Sequence, residues 1–201
     1  MRWSLESGTT EGTEILRLVD CAGMAIDNKG ALYVSNVDSR DIRRYNKNSI
    51  TGMVVAGGND EGYGLHQLGY PTYVTIDSEG TIYVTDDMNH RVMKWVEGAK
   101  EGIVVAGGHG SGNGLTQLSY PAAVVVDQLG TVYVADSGNA RIMRWPKGAT
   151  EGSVIVGGNG EGGQLNQLYQ PEGLSFDRHG NLYVVDQKNY RVQKFDIDSN
   201  K

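Results

Sequence analysis

The chain has 201 residues, of which 39% are hydrophobic and 29 are glycine, and its formal net charge is −6. An acidic chain without a run of lysine or arginine argues against nucleic-acid binding, because proteins that bind phosphates usually present a basic face. The single cysteine, Cys21, excludes an internal disulfide, and no apolar stretch has the length of a signal peptide or a membrane-spanning helix. These features leave the compartment undetermined, with the cytoplasm as the default expectation.

The N-terminal residues are predicted to be the end of a repeat. Residues 1–3 (MRW) match residues 143–145, and residues 8–16 parallel residues 148–156. The apolar run TEILRL at residues 13–18 then predicts a strand. We therefore expect the chain to begin partway through a repeat.

From residue 23 onward the chain follows a pattern that recurs every 50 residues. Each copy has an aspartate that opens a turn, then a glycine and then a tyrosine, at Asp27, Asp77, Asp127 and Asp177; Gly30, Gly80, Gly130 and Gly180; and Tyr33, Tyr83, Tyr133 and Tyr183. In the third copy AVVVD predicts an inner strand, TVYVAD a second, RIMRW a third and VIVGG a fourth. Short β-branched runs bounded by glycine, aspartate and asparagine are typical of strands joined by hairpin turns.

A constant period made of short strands predicts a repeat architecture. The predicted strands carry valine, isoleucine and tyrosine on both faces, which suits sheets that are buried between neighbouring sheets. We therefore predict an all-β fold, a β-propeller of four-stranded antiparallel blades, with about four blades in a single domain over residues 1–201. The predicted repeat units are residues 13–52, 53–102, 103–152 and 153–201.

The last copy resembles the NHL-repeat family of β-propellers. The matching positions are Pro171, Gly173, Asp177, Gly180, Leu182, Tyr183, Val184, Asp186, Asn189, Arg191, Val192 and Phe195. The second and third copies match nearly as well over residues 71–95 and 121–145. The first copy is degraded, with Cys21, Asn36, Ser39 and Asp41 in place of the proline, aspartate, asparagine and arginine.

The number of copies leaves two architectures open. The resemblance implies six blades, or sometimes five, whereas this chain has four copies. In one alternative, residues 13–18 complete the last blade beside residues 191–195 and close a small ring. In the other, the chain is an arc of a larger propeller.

A polar set recurs in three copies at the ends of the second and third strands. A carboxylate, an amide and a guanidinium there can form a charge-assisted network that holds the turn. Because every full copy has the set, we predict a structural network rather than an anion site. Its members are Asp86, Asn89 and Arg91; Asp136, Asn139 and Arg141; and Asp186, Asn189 and Arg191. By the same argument, the aromatic residues that end the third strands are predicted to pack between blades.

Glycine-rich loops at residues 57–72, 107–122 and 157–172 precede the later inner strands. They lack the following helix and lysine of a phosphate-binding loop, and their period is not that of a calcium-binding nonapeptide. We expect these loops to cap one end of the propeller, with one leucine of each tucked beneath. Those leucines are Leu65, Leu115 and Leu165.

Histidines are the residues that would carry a metal site. His66, His90 and His109 are predicted to lie at the loop end, with His179 at the opposite end. The resemblance to NHL-like amidoglycolate lyases, which hold zinc with propeller histidines, implies a metal-dependent lyase-like enzyme as an alternative. However, the three histidines lie on separate loops without a short ligand spacing, so we expect no metal, no cofactor and no catalytic set.

The sequence favours a non-enzymatic binding scaffold whose loops contact a protein or peptide. We define the loop face as the loops at 57–72, 107–122 and 157–172 with the turns at 36–40, 86–90, 136–140 and 186–190. Tyrosine is enriched at binding hot spots, and the candidate contacts are Tyr63, Tyr70, Tyr120, Tyr169 and Tyr190. The resemblance implies a substrate-recognition part of a ubiquitin-ligase-type system. It also implies an RNA-binding alternative, which the acidic charge disfavours.

Overall fold

The computed structural model describes residues 14–16 and 20–197, which form strands joined by turns. Fifteen strands in these residues make four antiparallel sheets. The predicted all-β fold of propeller blades is confirmed. Within the described ranges, no helix has the length and apolar character needed to cross a bilayer.

Each sheet is one repeat, and its strands follow one another across the sheet in chain order. Blade 1 contains β1 (Cys21–Ile26), β2 (Leu32–Asn36), β3 (Asp41–Tyr45) and β4 (Met53–Gly57). Blade 2 contains β5 (Pro71–Ile76), β6 (Ile82–Asp86), β7 (Arg91–Trp95) and β8 (Ile103–Gly107). Blade 3 contains β9 (Pro121–Val126), β10 (Val132–Asp136), β11 (Arg141–Trp145) and β12 (Ser153–Gly157). Blade 4 contains β13 (Pro171–Phe176), β14 (Leu182–Asp186) and β15 (Arg191–Phe195).

The described part of blade 4 has three strands instead of four. Of the strand predicted at residues 13–18, only residues 14–16 are described, and they form no strand. Residues 13, 17 and 18 lie outside the described residues. Closure of a small ring by this segment is therefore not observed.

The aspartate that opens each repeat shapes the turn between the first two strands. In blade 3, Asp127 Oδ1 accepts hydrogen bonds from the N–H groups of Leu129 (2.9 Å) and Thr131 (2.8 Å), and the Tyr133 hydroxyl donates to Oδ2 at 3.2 Å. Gly130 has φ +80°, a conformation that favours glycine. These contacts explain the constant Asp, Gly, Tyr spacing. The same bonds occur at the equivalent aspartates, Asp27, Asp77 and Asp177.

Neighbouring blades pack face to face, and the described residues form three apolar cores between them. Each core combines one face of a blade, the opposite face of the next blade and a leucine from the loop that connects them. The three leucines, Leu68, Leu118 and Leu168, are each 0% exposed. Loop residues thus belong to the core as much as strand residues do.

The prediction that Leu65, Leu115 and Leu165 lie beneath the loops is wrong. All three are exposed, and the leucine three residues later is the buried one. The Gln67 N–H donates to the Gly64 carbonyl at 3.2 Å, so Leu65 occupies the tip of a turn. This turn directs Leu65 outward, and the chain then returns to bury Leu68.

A large aromatic side chain fills the end of the first two cores. Trp95 and Trp145 are both almost completely buried there. A Cβ atom at Gly102 would lie 2.7 Å from the Trp95 indole, and one at Gly152 would lie 2.6 Å from the Trp145 indole. Only glycine leaves room for these rings, which accounts for the glycine that precedes β8 and β12.

Blades 1 and 4 each have one face without a neighbouring blade among the described residues. Val192 of blade 4 is 63% exposed, whereas its equivalents Val92 and Ile142 are 0% exposed. On blade 1, Met24 is exposed where Val74 of blade 2 is buried. In the described residues, three face-to-face junctions therefore join consecutive blades, and the Tyr73 hydroxyl of blade 2 also donates to the Leu174 carbonyl of blade 4 at 3.4 Å.

Replacing Leu118 with alanine should destabilise the fold by about 2–5 kcal/mol, because the change empties a fully enclosed site. Leu115→Ala, three residues earlier in the same loop, should change the free energy of unfolding by less than about 0.5 kcal/mol. Urea denaturation followed by tryptophan fluorescence measures both. Equal effects of the two substitutions would contradict the assignment of Leu118 to the core.

Candidate recognition face

The two kinds of connection in the loop face meet at one end of the blades. Because adjacent strands are antiparallel, the loop that leaves the fourth strand of one blade emerges beside the turn between the second and third strands of the next. Asn89 Nδ2, on such a turn, donates to the Gly62 carbonyl, on such a loop, at 2.8 Å. The loop face is therefore a continuous surface in which each loop touches the following blade.

A buried ion pair anchors each loop to the blade that follows it. In blade 2, Arg91 Nε lies 2.9 Å from Asp86 Oδ2, and the two side chains are 5% and 0% exposed. The rest of the guanidinium donates to the carbonyls of Tyr63 (2.8 Å), Gly64 (3.2 Å) and Gln67 (3.0 Å). One arginine thereby fixes three backbone carbonyls of a glycine-rich loop.

The Asp86 carboxylate and the Asn89 amide hold the same loop at two further points. Asp86 Oδ1 accepts the Gly69 N–H at 2.8 Å. Asn89 Nδ2 donates to Asp86 Oδ2 at 2.8 Å as well as to the Gly62 carbonyl. A buried charge is tolerated when it is paired and hydrogen-bonded in this way.

The same network occurs in the next two blades. The ion-pair distance is 2.6 Å between Arg141 Nε and Asp136 Oδ2, and 2.7 Å between Arg191 Nε and Asp186 Oδ2. The loop carbonyls that accept from the two arginines belong to Asn113, Gly114 and Gln117 and to Gly163, Gln164 and Gln167. The Arg191 side chain is 25% exposed, because blade 4 has an open face.

Blade 1 has a different arrangement at this position. Arg43 Nε donates to both carboxylate oxygens of Asp41, at 3.1 and 3.0 Å, so the ion pair runs along one strand. Asn36 accepts the Ser39 N–H and closes the turn locally. Among the described residues, Arg43 and Asn36 therefore bond only within their own blade, and the Val37 N–H donates to the Asp20 carbonyl at 2.8 Å.

The two later carboxylates differ in their electrostatics. Burial raises the pKa of Asp136, and hydrogen bonds from Asn139 and Arg141 oppose that rise without cancelling it. Burial also acts to raise the pKa of Asp186, but hydrogen bonds, led by the Tyr169 N–H, outweigh it and lower the pKa. The more exposed blade thus holds its aspartate more firmly in the charged form.

One backbone position on the loop face has the same conformation but a different side chain in every blade. Residues Arg40, His90, Ala140 and Tyr190 have φ values of 52°, 51°, 49° and 52°. Positive φ is uncommon in residues other than glycine. In the first three blades the carbonyl of this residue accepts the N–H of a loop glycine, at 2.9 to 3.0 Å. The frame is fixed there, and only the side chain varies.

The structure brings all five candidate tyrosines to the loop face in exposed positions. Their exposed fractions range from 36% for Tyr169 to 94% for Tyr190. Tyr120 packs edge to face on His90 with ring centroids 4.8 Å apart, and its N–H donates to His90 Nδ1 at 3.2 Å. This contact joins the surfaces of blades 2 and 3, and sequence spacing alone did not predict it.

The histidines do not converge. His90 is engaged by Tyr120, while His66 and His109 are exposed on separate loops. His179 lies in a turn at the opposite end. Among residues 14–16 and 20–197, no three side chains of His, Cys, Asp or Glu form a group that could hold a metal ion. The lyase-like alternative therefore has no ligand set in these ranges.

The sequence prediction missed Asp87, the first residue of the short 3₁₀ turn Asp87–Asn89. Burial and the neighbouring Asp86 charge raise the pKa of Asp87 to about 6. The equivalent residues in blades 3 and 4 are Ser137 and Gln187, so the doubled aspartate is particular to blade 2. Two adjacent aspartates at a predicted turn were the sequence feature from which a raised pKa could have been predicted.

Two segments match the family model described as NHL repeat, at residues 118–144 and 168–195. These segments cover the last part of the loop, the first two strands and most or all of the third strand of blades 3 and 4. The resemblance drawn from the sequence is therefore confirmed. No curated protein sequence matches the chain.

Several solved structures share the fold. An auxiliary nutrient binding protein from Bacteroides thetaiotaomicron is 17% identical, with a TM-score of 0.71 over 90% of this chain and 49% of its own. A nidogen/laminin complex contains a chain 21% identical, with a TM-score of 0.68 over 87% of this chain and 60% of that one. A protein provisionally named a phosphatase, from Bacteroides thetaiotaomicron, is 17% identical, with a TM-score of 0.62 over 90% and 49%. The chain thus spans about half the length of these structures, and the likeness concerns the fold.

Arg141→Lys should lower the free energy of unfolding by about 1–3 kcal/mol, because an ammonium cannot reach the carboxylate and three carbonyls together. Arg191→Lys is the matched control and should have a smaller effect, since Arg191 is partly solvated. Urea denaturation measures both. A larger loss for Arg191→Lys would contradict the role assigned to burial.

Asp87→Asn should make the protein more stable at neutral pH. The raised pKa means that the folded state loses stability as pH rises from about 4 to about 6 and remains weakened above that range. After discounting for partial exposure, the variant should gain roughly 1–2 kcal/mol at pH 7.5, and the gain should shrink towards zero near pH 4. Denaturation midpoints of both proteins across this range test the effect, and a pH-independent difference would argue against it.

Proposed function

We propose that this NHL-repeat propeller is a non-enzymatic scaffold that binds a protein or peptide at its loop face. One observation carries the proposal: a rigid and repeated backbone frame presents side chains that differ from blade to blade. The residues with φ near 50° illustrate it, since Arg40, His90 and Tyr190 present different side chains at the same position, where blade 3 has the buried Ala140. Variation on a fixed frame is typical of recognition surfaces.

The anchored loops favour binding because little order would have to be gained. Each of the three glycine-rich loops is held by an arginine, an aspartate and an asparagine of the next blade. Loops that are already ordered lose less conformational entropy on association than free loops do. Glycine-rich sequence and rigidity are therefore compatible here.

Exposed tyrosines supply the binding chemistry. Tyr120 and Tyr190 themselves have positive φ values, 48° and 52°, and the Tyr120 ring also packs on His90. A tyrosine ring combines a large apolar area with one polar end and has few rotatable bonds. We infer that Tyr63, Tyr70, Tyr120, Tyr169 and Tyr190 contact the partner.

The similar structures support binding in general terms. One is named as a nutrient binding protein, and another belongs to a complex of nidogen and laminin. Their identities of 17% and 21% leave the partner of this chain to be established from its own surface. A role as the substrate-recognition part of a ubiquitin-ligase-type system stays a prediction from the family resemblance.

A random peptide library selected on the protein should yield ligands that depend on the loop face. Tyr120→Ala and Tyr190→Ala should each weaken those peptides by about tenfold or more, the effect expected when an aromatic hot spot is truncated. The matched control is Leu129→Ala, because Leu129 is also exposed and apolar but lies in a turn at the opposite end. Titration of the selected peptides against each variant measures the change.

Two outcomes would count against the proposal. If the affinity of the selected peptides is unchanged when each of the five tyrosines is replaced with alanine, the peptides do not bind the loop face as proposed. Peptides that lose affinity with Leu129→Ala would move the site to the opposite end of the blades.

A further inference from the structure

A groove of about 400 Å³ lies between blades 2 and 3, along strand β8. Ile103 and Val105 of β8 form one wall, and Val132 and Trp145 of blade 3 form the buried floor. Clefts and cavities that bind small ligands typically have volumes of roughly 300–1,000 Å³. None of the five exposed tyrosines of the loop face lines it.

The charge of this groove is opposite to that of the protein. Its lining contains Lys94, Lys147 and His109 and no carboxylate, whereas the whole chain has a net charge of −6. In the described part of the chain, neither lysine has a hydrogen bond or an ion pair with another side chain. Two lysines therefore line the groove without a counter-ion among the described side chains.

The equivalent junction between blades 1 and 2 is an internal control. There Arg44 occupies the position of Lys94, and Glu97 occupies the position of Lys147. Arg44 Nη1 lies 3.6 Å from Glu97 Oε1, so an ion pair crosses from one blade to the next. At the second junction, Lys147 stands where Glu97 stands at the first, so two positive charges, Lys94 and Lys147, occupy the positions of the ion pair.

We propose that the groove between blades 2 and 3 binds an amphipathic anion, a ligand that carries a carboxylate on a small apolar body. The two lysines attract the carboxylate, and a partly enclosed position strengthens such charge-assisted contacts. Ile103, which is 53% exposed, and Val105 beside it take up the apolar body. The site uses none of the five tyrosines of the proposed contact surface, although Gly107 and His109 of the loop face lie at its edge.

In NMR titrations, the indole N–H signal of Trp145 can report on the groove, and that of Trp95 can report on the equivalent junction between blades 1 and 2. Trp145 lies in the floor of the groove, and Trp95 occupies the equivalent position at the first junction. With 4-phenylbutyrate as the probe, we expect the Trp145 signal to shift with a Kd of about 1 mM or tighter, while the Trp95 signal stays constant. The neutral analogue 4-phenylbutyramide should bind at least about fivefold more weakly, and 1 M sodium chloride should weaken the acid but not the amide.

Two charge changes test the internal control in opposite directions. Lys147→Glu introduces a carboxylate next to Lys94 and should abolish the Trp145 response to 4-phenylbutyrate. Glu97→Lys removes the bridge at the first junction and should make the Trp95 signal respond as well. Lys188→Glu, an identical charge change at an exposed lysine outside the groove, should leave the titration unchanged.

The proposal is overturned if the acid and the amide shift Trp145 equally, or if Lys147→Glu binds like the unmodified protein. If Lys147→Glu does not fold, Glu97→Lys still decides, because a silent Trp95 signal in that variant contradicts the role of the bridge. A second probe, acetyl-Val-Glu-Val-amide, identifies the source of the carboxylate. Tighter binding of this peptide than of 4-phenylbutyrate indicates a protein segment, and the reverse order indicates a free small acid.

Discussion

The buried aspartate–arginine pair is the interaction on which the loop face depends. A buried ion pair contributes little net stability by itself, because removing two charges from water offsets their attraction. Here the pair has a second role, since Arg91 and its equivalents use their remaining N–H groups to satisfy loop carbonyls that strands and helices would otherwise satisfy. The network therefore replaces secondary structure in segments that have none. Glycine-rich loops of about fifteen residues would otherwise be disordered or variable.

This arrangement separates the residues that maintain the frame from the residues that vary. Asp86, Asn89 and Arg91 face inward and recur in the next two blades, so they must be kept for the loops to hold their course. Side chains that point outward from the same turns face no such constraint. The exposed tyrosines of the loop face and the partly exposed His90 ring occupy positions whose residue differs between blades. A surface of this kind can change its chemistry without loss of fold.

Much of the architecture could be predicted because the repeat acts as its own control. The constant spacing of Asp127, Gly130 and Tyr133 reports one turn geometry, and its recurrence predicts four blades. The polar network was also predicted, but its partners were not. Those partners are the backbone carbonyls of Tyr63, Gly64 and Gln67. Every residue has a backbone carbonyl, so the sequence does not show which carbonyls accept these hydrogen bonds.

Other features depended on contacts that the sequence does not encode locally. Leu65 and Leu68 are equally apolar, and only the turn between them decides which is buried. The pairing of Arg44 with Glu97 crosses from one blade to the next, so it is visible only once the blades are packed. Each loop is held at one glycine by a carbonyl of the preceding blade, but most of its side-chain anchors lie 17 to 28 positions further along the chain. During synthesis on the ribosome, these later anchors can form only after the following hairpin has emerged, so the loops reach their full set of contacts one after another from the N-terminal side.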